Sequence, residues 1–272
     1  MKKNLSRIIF TVLCICLVPV TGLPCTAFMI NNNGQPIYCK NMEWLHVPGF
    51  WIINKRGVAK TSALLGQEPT DHISWTSKYG SLTFNLVGRE FPHDGINEAG
   101  LFITTLDGEE RAYDAYPEPD SRVPMGPFQW VQYQLDYFST VAEVIASFQS
   151  LRFPKPPENS PVHPQALHFF VGDSKGKCAS IEFLDGKMVC HTRWTMPVKA
   201  LTNNTYDHSI AYYRQYRFQN FFSPIPIPED PKPSLYRFAV AGDRAKKYRP
   251  QRSGPAVDYA FRSDLLGRKS FL

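Results

Sequence analysis

The sequence predicts an α+β fold, and three observations carry that expectation. Short runs alternating polar and apolar residues fill the first hundred positions, a helical repeat occupies the middle, and strand-like runs resume at Leu167. Strands and helices are therefore grouped rather than interleaved.

The first two strands are Cys25–Ile30 and Pro36–Asn41, which flank an Asn33-Gly34 pair suited to a tight hairpin turn. Further strands are expected at Phe50–Asn54, Ser81–Val87 and Leu101–Leu106. From Gln129 to Leu151, apolar residues recur three and four apart, at Val131, Leu135, Phe138, Val141, Val144, Ile145 and Phe148. Ser139-Thr140 breaks this run into two helices, with Thr140 capping the second and Glu143 completing a capping box. Strands then follow at Leu167–Val171, Ala179–Phe183, Lys187–His191 and Ala200–Thr202. The proline-rich stretches Pro154–Pro164 and Ile225–Pro233 read as loops within one domain, and there is no internal repeat.

Composition narrows the function classes. With 272 residues, 43% hydrophobic and 20% charged, the chain is neither disordered, collagenous nor a multi-span membrane protein. Its net charge of +6 is uneven: Lys232 to Leu272 hold 10 basic against 3 acidic residues, whereas residues 1 to 231 are near neutral. The body has no basic stripe, so nucleic acid is not an expected partner.

At the N-terminus, Lys2, Lys3 and Arg7 precede an apolar run from Ile8 to Val20 that is too short to span a bilayer. This reads as a signal peptide over residues 1–22, with Val20 and Gly22 as the small residues before the cut and Leu23-Pro24 left as a short propeptide. The mature protein is then secreted or periplasmic, touching the membrane only through the signal. A lipoprotein signal is the competing reading, although Gly-Leu-Pro-Cys lacks the small residue usually needed before a lipidated cysteine.

Cys14 and Cys16 leave with the signal, and Cys25, Cys39, Cys178 and Cys190 remain. An Asp185-Gly186 turn pairs Leu184 with Lys187 and Ile181 with Cys190, which sets Cys178 too far from Cys190 for a bridge. His163 and His168 near Cys178 do not have the spacing of a zinc site.

The chemistry centres on Cys25. Removal of Leu23 and Pro24 would give this residue a free α-amine, which with a pKa near ~8 can take the proton of its own thiol. The hairpin register places Lys40 on the same face, diagonal to Cys25, where a cation favours the thiolate; Glu43, just past the strand, would orient the amine. Spacing alone also fits a small buried cysteine at the start of a strand.

Further segments carry a resemblance. They are Cys25-Thr26, Cys39-Lys-Asn-Met-Glu-Trp44, Asp94-Gly-Ile-Asn-Glu-Ala-Gly-Leu101, Trp130-Val-Gln-Tyr-Gln-Leu-Asp136, Thr140-Val-Ala-Glu-Val144, His168-Phe-Phe-Val-Gly-Asp173, Ile181-Glu-Phe-Leu-Asp-Gly-Lys187, Leu201-Thr-Asn-Asn204 and Ser234-Leu-Tyr-Arg-Phe238. In this order they resemble the choloylglycine hydrolase family, the bile salt hydrolases and penicillin V acylases. That resemblance implies an αββα four-layer sandwich of the N-terminal-nucleophile hydrolase type over residues 25–272. It implies an amidase acting on a conjugated bile salt, penicillin V or an N-acyl homoserine lactone, with no cofactor, and a homo-oligomer, a tetramer in relatives.

Carried over residue by residue, the resemblance makes Cys25 the nucleophile. The family's arginine near the thiol falls on Lys40 and the acid holding the amine on Glu43. Asn203 and the backbone N–H of Asp107, where relatives usually have Asn or Tyr, become oxyanion donors, and Arg237 supports the cysteine pocket. For Asn97 and Gly100 a turn between two strands is the better reading. Trp44, Phe50, Trp51 and Trp75 fit either an acyl pocket or the core. Lys40 in place of arginine loses a bidentate fork. After about residue 241 the family pattern fails: Val257-Asp-Tyr-Ala-Phe261 starts like the next helix, and no closing strands follow. This points to an incomplete sheet, and the alternative reading is a truncated, inactive or binding-only relative.

Overall fold

The computed structural model describes residues 25–42, 49–62, 73–86, 88–89, 91–108, 118–155, 167–223, 233–250 and 255–261. Its strands are β1 Thr26–Asn32, β2 Gln35–Asn41, β3 Phe50–Asn54, β4 Ala59–Thr61, β5 Ser74–Thr76, β6 Ser81–Asn85, β7 Pro92–Asn97, β8 Phe102–Asp107, β9 Val123–Pro124, β10 Leu151–Arg152, β11 Leu167–Gly172, β12 Cys178–Leu184, β13 Lys187–Thr192 and β14 Ala200–Leu201. The helices are α1 Pro127–Tyr137, α2 Val141–Ser147, α3 Tyr206–Phe222, α4 Ser234–Lys247 and α5 Ala256–Phe261.

Two sheets form the centre. The larger runs β13-β12-β11-β8-β7-β6-β3, and the smaller runs β14-β1-β2. Every pair of neighbouring strands within them is antiparallel. Asn33 and Gly34 both take positive φ, the conformation of a two-residue turn whose twist matches its strands, so Ala27 faces Lys40 as the sequence predicts. The Asp185-Gly186 turn likewise pairs Leu184 with Lys187 and Ile181 with Cys190. No disulfide joins Cys25, Cys39, Cys178 and Cys190.

The sheets stack through side chains on their facing sides. Tyr38 of β2 lies flat on Phe102 of β8, with ring centroids 5.0 Å apart, and its hydroxyl donates to the Asp173 carbonyl at 2.6 Å. Gly172 allows this approach, because a Cβ there would collide with the Tyr38 ring. Phe28 and Ile30 of β1 share one buried cluster with Leu106 and Phe170 of the large sheet and with Tyr206, Tyr213, Phe238 and Tyr259 of the helices α3 to α5. The other face of the large sheet packs against α1 and α2 around Trp130, Leu135, Val144, Phe148 and Phe169. The result is helices, sheet, sheet, helices, the expected four layers.

Local details agree with residue chemistry. Pro127 occupies the first turn of α1, where its missing N–H costs nothing, and Thr140 and Glu143 close the capping box of α2. The turn around Asn97 and Gly100 is present, with Asn97 Oδ1 accepting from the Ala99 and Leu101 N–H groups and Gly100 at φ +84°. Asp94 to Asn97 themselves extend as the end of β7. Gly95 lets α1 pack directly on this strand, since a Cβ would meet Leu135 and Thr83. Helix α3 shows no strong apolar periodicity, because aromatic and charged residues share its faces and Phe218, Phe221 and Phe222 stay exposed. Its segment therefore gives little sign of a helix in sequence. Helix α5 forms where the Val257–Phe261 segment predicts one.

Candidate active site

Cys25 sits one residue before β1, and it is 3% exposed. Its backbone nitrogen donates to Asn203 Oδ1 at 3.1 Å. Arg237, itself 4% exposed, reaches in from α4 and clamps the same corner. One guanidinium nitrogen donates to the Cys25 carbonyl and to Thr26 Oγ1, the latter at 2.8 Å, and the other donates to Asn203 Oδ1 at 2.8 Å. A planar, permanently charged fork suits three acceptors arranged around one edge.

Asn203 is fixed from every side. Its side-chain Nδ2 donates to the Asp107 carbonyl at 2.8 Å, and its backbone N–H donates to Ser234 Oγ at 2.9 Å. Ser234 lies one turn before Arg237 on α4, so a single helix holds both the backbone of Asn203 and the acceptors at Cys25. The Ser234 hydroxyl also donates to Thr202 Oγ1 and accepts from the Asn204 N–H. Three segments far apart in sequence thus meet at one point: the start of β1, the loop after β14 and the start of α4.

The six residues singled out from sequence are distributed as follows. Cys25, Asn203, Arg237 and the carbonyl of Asp107 form one connected hydrogen-bonded set. Asn203 commits one Nδ2 hydrogen to Asp107, which leaves the second of its two amide hydrogens for another acceptor. The Asp107 carboxyl is held above its ordinary value by burial, with His168 and Lys40 acting in the opposite direction. Lys40 shares the face of Cys25 but is anchored to β7 and β8: its Nζ donates to Asp94 Oδ1 at 2.6 Å and to the Thr105 carbonyl at 2.7 Å. Glu43 lies outside the described residues, as does Trp44.

Asp94 is the residue that sequence reasoning passed over here. It takes the Lys40 ammonium and also accepts from Thr104 Oγ1 at 2.6 Å. Its position at the head of the Asp94-Gly-Ile-Asn block was the available signal. Next to it, His93 is pushed down to about 4 by burial and by the Lys40 charge, with Asp94 opposing. Thr26 and Ser234 were given no role either, although both lie in segments that carry the resemblance, Cys25-Thr26 and Ser234-Leu-Tyr-Arg-Phe238.

The other thiols differ chemically from a nucleophile. Burial pushes Cys39 and Cys178 up to about 12 and Cys190 up to about 11. A thiol held protonated attacks slowly. The aromatic candidates divide as well: Trp75 is core, donating from Nε1 to Asp136 at 2.8 Å, while Phe50 and Trp51 are exposed on the outer strand β3.

Comparison with known proteins identifies the family and the fold. The model of the linear amide C–N hydrolases, choloylglycine hydrolase family, matches residues 25–224. A penicillin V acylase from Pectobacterium atrosepticum is 33% identical over 236 residues, which cover 79% of this chain. The chain spans 61% of that relative's length. The structure of a penicillin V acylase from Agrobacterium tumefaciens superposes with a TM-score of 0.69 at 27% identity, covering 89% of this chain and 71% of the other. A variant of the conjugated bile acid hydrolase from Clostridium perfringens, 18% identical, shares the fold with a TM-score of 0.65 over 86% of this chain and 76% of its own. On its matched segment, and on the fold that surrounds Cys25, this chain belongs to the choloylglycine hydrolase family of linear amide C–N hydrolases.

Proposed function

We propose that this protein is a cysteine amidase that hydrolyses the linear C–N amide bond of an N-acyl substrate, with Cys25 as its nucleophile. One observation carries the reading: the nitrogen, carbonyl and following hydroxyl of Cys25 are held by Asn203 and Arg237, so the residue is fixed at the corner where a thiol and an α-amine would work together. The proposal includes a signal peptide over residues 1–22, removal of Leu23 and Pro24, and a secreted or periplasmic product.

In the processed protein the Cys25 nitrogen is an amine with a pKa near ~8, able to accept the thiol proton. The sulfur attacks the amide carbonyl, and negative charge moves to its oxygen. The second Nδ2 hydrogen of Asn203 and the backbone N–H of Asp107 are the assigned donors to that oxygen; such preorganised donors stabilise charge that develops only in the transition state. The C–N bond breaks as the leaving nitrogen takes the proton back from the Cys25 amine, leaving an acyl-thioester. Water, deprotonated by the same amine, then attacks the thioester; the acid departs and the thiol is restored. Lys40 supplies positive charge on this face, positioned by Asp94, and Glu43 is the assigned partner of the amine.

Penicillin V is the first substrate to test, because both penicillin V acylases above are at least 27% identical to this chain. Conjugated bile salts and N-acyl homoserine lactones present the same apolar acyl group beside an amide. The test is N-terminal sequencing of the exported protein, with assays for phenoxyacetate from penicillin V, glycine from glycocholate and free acid from an N-acyl homoserine lactone. The expected chain starts at Cys25, and Cys25→Ser lowers turnover by about 100-fold or more, equivalent to ~2.7 kcal/mol of barrier. A mature chain starting at Leu23 or at an acylated Cys25, or equal rates for Cys25→Ser, removes the proposal.

A further inference from the structure

Glu182 lies at the centre of β12 with its side chain fully buried, an expensive place for a carboxylate unless it is well partnered. Both its oxygens accept from the Tyr206 N–H, at 3.0 and 3.1 Å, so the carboxylate sits on the first residue of α3. A 17-residue helix presents partial positive charge there, which favours an anion. His168, also fully buried, brings Nδ1 to 3.3 Å from the same carboxylate, and His191 Nε2 lies 3.8 Å away. His168 belongs to β11, next to β8, and its neighbour Leu167 pairs with Asp107.

These contacts converge on Asn203. The residue stands three positions before Tyr206, in the bend that leads into Thr205, the N-cap of α3. Asn203 is thus tied to the large sheet twice, once through the Asp107 carbonyl and once through the α3 N-terminus that Glu182 anchors. We infer that Glu182 is a positioning residue for the amidase site: with His168 it sets where the Asn203 amide stands relative to the nitrogen and thiol of Cys25. The inference rests on the proposed amidase reading for its kinetic consequence, although its effect on Cys25 is measurable without a substrate. A reacting geometry displaced by about 1 Å costs up to ~100-fold in rate, so a partial loss of this anchor predicts roughly tenfold.

The experiment uses the processed full chain and four variants: Glu182→Gln, Glu182→Asp, His168→Leu and His168→Asn. Four quantities are measured on each: kcat and KM for penicillin V, the rate of Cys25 alkylation by iodoacetamide, and the melting temperature. Cys39, Cys178 and Cys190, all held protonated by burial, serve as internal controls. Glu182→Gln keeps the volume but loses the charge facing the helix. It is expected to lower kcat and the alkylation rate about tenfold with KM within twofold, while remaining folded at the assay temperature. His168→Leu should do the same, and His168→Asn, whose amide can stand where Nδ1 stands, should recover most of the loss.

Folded Glu182→Gln with wild-type kcat and alkylation overturns the inference, as does a variant that changes KM alone. Should Glu182→Gln fail to fold, the His168 pair decides: equal rates for leucine and asparagine overturn it. A wild-type protein whose Cys25 is alkylated but which hydrolyses none of the amides defeats the amidase reading instead, and the alkylation rates alone then judge Glu182.

Discussion

The two faces of the large sheet hold cores of different character. Against α1 and α2 the packing is aromatic: Trp130 contacts Phe148, Phe153 and Phe169 with ring centroids 4.7 to 5.7 Å apart. Toward the small sheet, apolar packing by Phe28, Phe170 and Phe238 surrounds a chain of buried polar groups running from Cys25 through Asn203, Arg237 and Ser234. The aromatic core derives its stability from area removed from water, which depends little on exact geometry. The polar chain contributes a fixed arrangement, because every buried donor or acceptor in it needs its partner. The polar chain at Cys25 thus lies on one side of the sheet and the Trp130 ring cluster on the other, where separate buried polar groups at Asp136 and Gln134 accompany it.

The sharpest way to separate the two is a pair of variants. Trp130→Ala, in the aromatic core, should cost about 3–5 kcal/mol in denaturant unfolding while leaving Cys25 alkylation in the folded protein within twofold. An equal loss of Cys25 reactivity would mean that the two cores are not separate. Arg237→Met should behave in the opposite manner. It removes the guanidinium from the Cys25 carbonyl and Thr26 Oγ1 and takes one of two donors from Asn203 Oδ1, each unmet acceptor costing about 1–3 kcal/mol, and it should abolish the difference in alkylation rate between Cys25 and the three protonated thiols. Retention of fast Cys25 alkylation would show that the guanidinium does not hold the site.

His93 stands between the regions, its ring on Phe128 of α1 and within reach of the charges of Lys40 and Asp94. Its pKa is lowered to about 4 from an ordinary value of 6.5, so the unfolded chain binds a proton that the folded protein refuses. The stability His93 contributes is therefore present above about pH 6.5 and lost as pH falls toward 4. His93→Gln should flatten the acid limb of a stability-versus-pH curve by up to ~3 kcal/mol, and an unchanged limb would contradict the burial of a neutral ring. The smallest effect expected is at the edge of the aromatic core. Thr140→Ala removes the capping hydroxyl of α2 and should cost about 1 kcal/mol by chemical denaturation, with no change at Cys25.

Much of the fold was legible because it is local. Asn33-Gly34 and Asp185-Gly186 set two hairpin registers, which the observed pairings match residue for residue. Thr140 and Glu143 marked the start of α2. What escaped was structure whose signal is not local. Strands β4 and β5 are three residues each, too short for a periodicity, and α3 lacks a clean apolar stripe. Four of the six candidate residues lie in one hydrogen-bonded set, whereas Lys40 is bound to Asp94, a partner on another strand.

The basic excess after Lys232 has a similar explanation in part. Arg237 is buried beside Cys25, and Lys247 pairs with Asp243 of α4. Basic residues in the last turn of that helix also face its negative end, a favourable placement. Where described, the basic residues of this stretch therefore lie on α4 or at its end.

The sequence by itself determined the elements whose causes lie within a few residues: turns that need positive φ, a capping box, and alternation that assigns each strand two faces. It also singled out Cys25 as the candidate nucleophile. Only the tertiary structure decided which distant groups hold that residue, since β1 pairs with β14 and receives Arg237 from α4. A hydrogen bond between buried groups is set by positions in space to within a fraction of an ångström, and no local pattern of residue types encodes that distance.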